Sequence, residues 1–176
     1  MYQCGNCRIR PPAFSQAWTL YPYKSPLKEA IGLFKYHGKI SLGGPLADLV
    51  LKAFSPLPMI DVIVPVPLHP TRLREREYNQ SLLLAVRLSA HFALPVLYTS
   101  LVRRRRTPPQ TSLRRKDRLK NLRRTFAVTQ PEAVGGKNIL LVDDVFTTGT
   151  TVNECAKVLR KAGAGHVYVV TLARMV

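Results

Sequence analysis

The 176-residue chain is poor in cysteine, in acidic residues and in long apolar runs. Its three cysteines exclude a disulfide framework. Apolar runs such as Val62–Leu68 and Ile139–Val142 are far too short to cross a bilayer as a helix. The opening residues MYQCGNCRIR are polar and basic, without the apolar stretch of a secretory leader, so a cytoplasmic protein is expected. Ten acidic residues face 27 lysines and arginines, for a net charge of +17. That imbalance implies anionic partners: nucleic acid, phosphorylated metabolites or an acidic protein surface. Hydrophobic residues are plentiful at 46%, enough for the core of one compact domain. No internal repeat or low-complexity linker interrupts the chain.

The charge is concentrated. Eleven lysines and arginines lie between Arg103 and Arg124, opposed only by Asp117. Arg103, Arg104, Arg105 and Arg106 open the segment. A solvated face explains a lone arginine better than a run of this density. Contact with a polyanion such as single-stranded DNA would be steeply salt dependent. Aromatic interleaving is poor, so base stacking is not indicated.

Periodicity predicts an α/β chain. Residues 1–24 read as irregular, with a short strand near Trp18–Tyr21. Ser25-Pro26 reads as a capping hydroxyl and first-turn proline, with Leu27, Ile31 and Phe34 at helical spacing to Tyr36 and Gly38 as the stop. A helix over 45–54 carries Leu46, Leu49, Val50 and Ala53 on one face. A buried strand over 61–66 leads into a basic turn, HPTRLREREYNQ, and a helix over 79–92. A strand at 95–102 follows, then a proline-bearing loop and a basic helix near 114–124. A short strand at 125–129, a Gly135-Gly136 turn, a strand at 138–142, a helix at 150–161 ending at Gly163 and a strand at 166–172 complete the chain. That alternation predicts a mostly parallel sheet with helices on its faces.

One run carries chemistry. The strand at 138–142 is apolar on both faces, and ligands in open α/β sheets bind at the carboxyl ends of such strands. There Asp143 and Asp144 stand side by side. Thr147, Thr148, Gly149, Thr150 and Thr151 follow and lead into a helix. Small residues let backbone N–H groups close around a phosphate, and the helix dipole favours the anion. Carboxylates beside that cradle need a ligand with donors as well, and sugar hydroxyls supply them. A ribose 5-phosphate fits the whole pattern. Helix capping alone needs fewer such residues, and no GxxxxGK[ST] is present for a P-loop.

The run VDDVFTTGTT, Val142–Thr151, resembles the phosphoribosyl-pyrophosphate (PRPP) signature of type I phosphoribosyltransferases. Phe146 stands where that family usually has an aliphatic residue, at a position that should pack inward. VPVPLHPTRLREREYNQ (64–80), RTPPQTSLRRKDRLKNLRRTF (106–126) and FKYHGK (34–39) together resemble the ComF family of phosphoribosyltransferase-like proteins, over most of residues 20–175. Glu77 stands where that family more often has glycine. The resemblance implies the type I phosphoribosyltransferase fold: a twisted, mostly parallel sheet flanked by helices (56–176), with a small N-terminal hood (25–55). It implies that Val142–Thr151, Val145 and Phe146 included, form the PRPP-binding loop. Val66, Pro67 and Leu68 would be the pyrophosphate loop, with Arg72, Arg74 and Arg76 near the diphosphate. Residues 103–118 would be the flexible loop that closes over PRPP. Lys35 and Tyr36 would lie in the hood, where the acceptor binds.

The same resemblance implies Mg²⁺ with PRPP and transfer of the phosphoribosyl group to a nitrogenous acceptor. Asp143 and Asp144 would hold the ribose hydroxyls while Mg²⁺ and arginines balance the leaving diphosphate. It also implies a link to competence for DNA uptake. An accessory protein without catalysis, contacting single-stranded DNA or a helicase-like partner, is the competing expectation, and a dimer is one oligomeric state open to it. Cys4 and Cys7 form a CxxC, half of a zinc site, with no second Cys/His pair nearby. Within ComF they match the last CxxC of an N-terminal zinc module, so 1–24 is expected to be a zinc-segment remnant and lead-in. His91 and His166 read as structural, and His69 lies beside the expected pyrophosphate loop.

Overall fold

Four parallel strands form the centre of the computed structural model, which describes residues 8–9, 11–54, 59–104 and 125–175. In chain order the elements are β1 (Gln16–Pro22), α1 (Leu27–Tyr36), a 3₁₀ turn (Ile40–Leu42), α2 (Gly43–Ala53), β2 (Val62–Pro65), α3 (Pro70–Arg76) and α4 (Gln80–Phe92). They continue with β3 (Leu101–Arg103), β4 (Phe126–Val128), α5 (Pro131–Val134), β5 (Ile139–Phe146), α6 (Thr150–Lys161) and β6 (Val167–Arg174). The main sheet has the order β1-β6-β5-β2, and every neighbouring pair is parallel. β3 and β4 form a separate antiparallel pair. Among the described residues, no helix is long and apolar enough to cross a membrane.

Strand alternation builds two apolar layers, because successive side chains point to opposite faces of the sheet. Ile139 and Leu141 of β5 join Val167 and Val169 of β6 beneath Val152, Cys155 and Leu159 of α6. Leu140 and Val142 join Val170 and Leu172 on the other face. There they meet Ile31 and Phe34 of α1, Leu46 and Val50 of α2, and Leu84 and Leu88 of α4. The N-terminal helices therefore share a core with the sheet.

Several sequence expectations are corrected. β1 is a seven-residue edge strand, so part of the expected lead-in belongs to the sheet. Its side chains are mostly half-buried, which blurred the alternation. Ser25 does not cap α1; its hydroxyl donates to the Glu29 carboxylate, and the helix starts at Leu27. On α2 the buried set is Gly43, Leu46, Ala47 and Val50, while Ala53 is exposed. The expected basic turn is the helix α3, capped when His69 Nδ1 accepts from the Thr71 N–H at 3.2 Å. Its charged run hides no apolar period. The expected strand at 95–102 is split. Val96 makes one bridge to Ile63, and Leu101–Arg103 joins β4. The polar Thr99 and Ser100 between them turn to Gln130. Finally, β5 runs four residues past Val142, so Asp143 and Asp144 lie on the strand itself. Cys4, Cys7, Arg105, Arg106 and the basic helix expected at 114–124 lie outside the described residues.

Candidate functional site

Two parallel strands, β2 and β5, deliver their carboxyl ends side by side. The Val66 N–H, just past β2, donates to the Val142 carbonyl of β5 at 2.9 Å. The Val66 carbonyl accepts from Asn79 Nδ2 at 3.0 Å, and the same Asn79 caps α4 by accepting from the Ser81 N–H. The residues entering Pro67 and Leu68 are thus tied to both β5 and α4. Val142 itself is buried with its carbonyl taken, so the strand presents its acids rather than this valine.

Alternation sends the two acids to different surroundings. Asp144 is buried on the face of α1, and Lys35 Nζ lies 2.8 Å from its Oδ1. Lys35 arrives there because it follows the buried Ile31 by four residues, one helical turn along the same face. Burial works against the lysine's charge, but the carboxylates of Asp144 and then Asp143 outweigh it and hold its pKa above the ordinary value. Asp143 accepts from Ser81 Oγ at 3.0 Å and from the Asp144 N–H at 2.9 Å. Its carboxyl is nonetheless pushed up to about 7, first by burial and then by the charge of Asp144, with Lys35 pulling the other way.

On that second face lie Cys155 and Arg103. Burial, with Asp143 adding to it, raises the Cys155 thiol well above its usual value. Burial lowers the Arg103 guanidinium, which feels Cys155, Arg72 and Asp143 as neighbours and lies 5.6 Å over the Phe126 ring. Arg103 is therefore brought to the Asp143 flank, with Arg72 beside Arg103. Arg74 and Arg104 are exposed. Arg76 is turned elsewhere: its guanidinium lies 4.9 Å over the Tyr36 ring and donates to Gln80 Oε1.

Beyond the acids, the chain turns through Thr147, Thr148 and Gly149 into α6. Gly149 is required twice over. Its φ is +73°, and a Cβ there would stand 2.5 Å from Phe146 Cζ. Phe146 packs inward, edge-on to Phe14 with ring centroids 6.5 Å apart. Thr147 and Thr148 are exposed, and Thr148 and Thr150 share a hydroxyl hydrogen bond of 2.7 Å. Gly149 offers no side chain to cap α6, which leaves the first-turn N–H groups facing this loop. Asp143, Val145, Thr147, Gly149, Thr151 and Val152 line a cavity of only about 10 Å³. Carboxylates, hydroxyls and helix N–H groups together can hold a polyhydroxylated anion at its hydroxyl and anionic ends.

Sequence reasoning missed Ser81 and the pairing of Lys35 with Asp144. A lysine one turn after a buried isoleucine was the available signal. His69 caps α3, while His166 Nδ1 pairs with Ser15 Oγ at 3.0 Å.

The match to known proteins follows this geometry. The family model for the phosphoribosyl transferase domain matches residues 79–175, from the Asn79 cap through β6. The fold, with its parallel sheet flanked by helices, is that of the type I phosphoribosyltransferases. Competence protein F of Haemophilus influenzae is 36% identical over 179 residues, which cover 97% of this chain and 78% of that protein. DNA utilization protein YhgH of Escherichia coli K12 is 34% identical over 177 residues, 97% of this chain and 77% of that protein. The chain belongs to the ComF family. The glutamine PRPP amidotransferase of B. subtilis, solved with ADP and GMP, shares the fold at a TM-score of 0.51 and 21% identity. That likeness covers 75% of this chain and about a quarter (26%) of the amidotransferase.

Proposed function

We infer that the protein binds PRPP, as its Mg²⁺ complex, or ribose 5-phosphate, and transfers the phosphoribosyl group to a nitrogenous acceptor. One observation carries this reading: two carboxylates at the end of β5 stand directly before a threonine-glycine turn at the start of α6. The 5-phosphate would take the N–H groups and hydroxyls of 147–151, and the acids would take the ribose hydroxyls. Arg72 and Arg103 would face the diphosphate. The magnesium ion belongs to the substrate. Among the described residues no group of three or more His, Cys, Asp or Glu could hold a metal by itself. In the transfer from PRPP, the bond from C1 to the diphosphate oxygen breaks with its electron pair leaving on oxygen, a bond from C1 to nitrogen forms from the acceptor's lone pair, and the nitrogen's proton passes to solvent or to the departing diphosphate. The chain's part is to orient the ring and offset charge. The names of the relatives support a link to competence and DNA use.

Calorimetric titration with PRPP and Mg²⁺ tests the reading. The wild type should bind, and the Asp143→Asn/Asp144→Asn double variant should bind at least about tenfold more weakly, the loss of more than one charge-assisted hydrogen bond. Absence of binding by the wild type, or equal binding by the variant, sinks it.

The names of the relatives and the net charge of +17 favour a second reading, an accessory protein that contacts single-stranded DNA or a helicase without catalysis. PRPP consumption with candidate bases separates the two. Binding of single-stranded DNA that weakens with salt and with neutralisation of Arg103–Arg106 would support direct contact.

A further inference from the structure

The blocks FKY at 34–36 and REYNQ at 76–80 are far apart in sequence, yet they form one clamp. The Phe34 carbonyl accepts from Tyr78 Oη at 2.6 Å and from Gln80 Nε2 at 3.3 Å. The Phe34 and Tyr78 rings pack with centroids 5.5 Å apart. Arg76 closes the far side by stacking on Tyr36 and donating to Gln80. Gln80 is 1% exposed, so this is a built contact and not a surface accident. The residue between the clamped Phe34 and the stacked Tyr36 is Lys35, whose side chain is 16% exposed and ends on Asp144. A lysine stem is flexible. Here its backbone is gripped on both sides, which fixes where the ammonium goes.

We propose that Lys35 is a positioning residue of this site, aimed by the Tyr78–Gln80 clamp, which fixes Asp144 as the anion of the acid pair and leaves Asp143 as the member able to hold a proton. The inference rests on the reading of this site as a sugar-phosphate site, and it adds a division of roles between neighbouring acids. Two carboxylates on consecutive strand residues repel when both ionise. Lys35 offsets that conflict by direct contact at Asp144 and more weakly, through its charge alone, at Asp143. Asp143 instead accepts from the Ser81 hydroxyl at the start of α4, while Arg103 of β3 and Cys155 of α6 bear on it electrostatically from the α6 side, with Arg72 of α3 beside Arg103. The clamp also joins the acid pair to α4, since Asn79 and Ser81 hold Val66 and Asp143.

Two measurements on the full chain test this. The first follows the Asp143 carboxyl by carbon-13 NMR against pH, without ligand. Lys35→Met should move its midpoint upward by about one unit, as loss of a nearby opposite charge does. Lys35→Arg, which keeps the charge, should restore it. If Lys35→Met does not fold, Lys35→Gln replaces it with the same expected shift. An unchanged midpoint in the uncharged variant, or no rescue by arginine, overturns the proposal. The second titrates ribose 5-phosphate at pH 7. Lys35→Met should weaken binding about tenfold and Lys35→Arg by less than about threefold, and tighter or unchanged binding in Lys35→Met counts against the role. A wild type that binds neither ribose 5-phosphate nor PRPP defeats the functional reading, and the ligand-free titration then decides this one alone.

Discussion

The two faces of the sheet are alike as cores and unlike at the end of β5. Each face buries alternate residues of one apolar strand, Leu141 beneath α6 and Leu140 beneath α1, α2 and α4. Two residues further along, the same alternation separates Asp143 from Asp144. Asp144 meets an ammonium, whereas Asp143 accepts from a hydroxyl and has a buried thiol and a guanidinium among its electrostatic neighbours. Packing against apolar atoms tolerates many arrangements. A carboxylate responds to individual neighbours, so the difference between the faces becomes chemical only at the acids.

Three experiments would sharpen or break that comparison. The largest effects belong to the apolar strips. Leu140→Ala and Leu141→Ala, both at fully buried positions, should each lower unfolding free energy by about 2–5 kcal/mol in denaturant titration. A cost under about 1 kcal/mol at either would mean that face is no true core.

The acids come next. An acid that holds its proton more tightly when folded gains stability below its unfolded pKa, near 4, and loses it as pH rises toward the folded value, about 7 for Asp143. Asp143→Asn should therefore match the wild type near pH 4 and exceed it at pH 8, by about 1–3 kcal/mol. Asp144→Asn should do the reverse at pH 8, because it leaves the half-buried Lys35 without its partner. Thermal unfolding across pH reads both, and a shared sign would erase the distinction between the two faces.

The smallest effect contrasts an exposed ion pair with the one at Asp144. Arg87 and Asp48 pair at 3.5 Å with side chains 56% and 51% exposed. Asp48→Asn should change stability by less than about 0.5 kcal/mol. A larger change would mean that exposure does not rank these pairs.

Much of the scaffold was legible in the sequence. Ile31 and Phe34, or Leu84 and Leu88, recur at helical spacing, and Ile139–Val142 is apolar on both faces because both faces are covered. The threonine-glycine turn was legible for the same local reason, since Gly149 answers to a positive φ and a near ring. The helix α3 escaped notice because PTRLRER has no buried face to print a period. The 95–102 run misled because one apolar stretch serves two sheets. At the site, the acids and threonines were readable and their partners were not.

By itself the sequence determined the alternation of strands and helices, the acids beside a phosphate-type turn, and the excess of positive charge. These depend on residues near one another in the chain, where propensity and periodicity act. The tertiary structure alone decided which acid meets Lys35, that Tyr78 and Gln80 grip Phe34, and that Arg76 turns to Tyr36. Those contacts join residues 40 to 109 positions apart, and electrostatics in a buried site depends on distance through space, which no local pattern encodes.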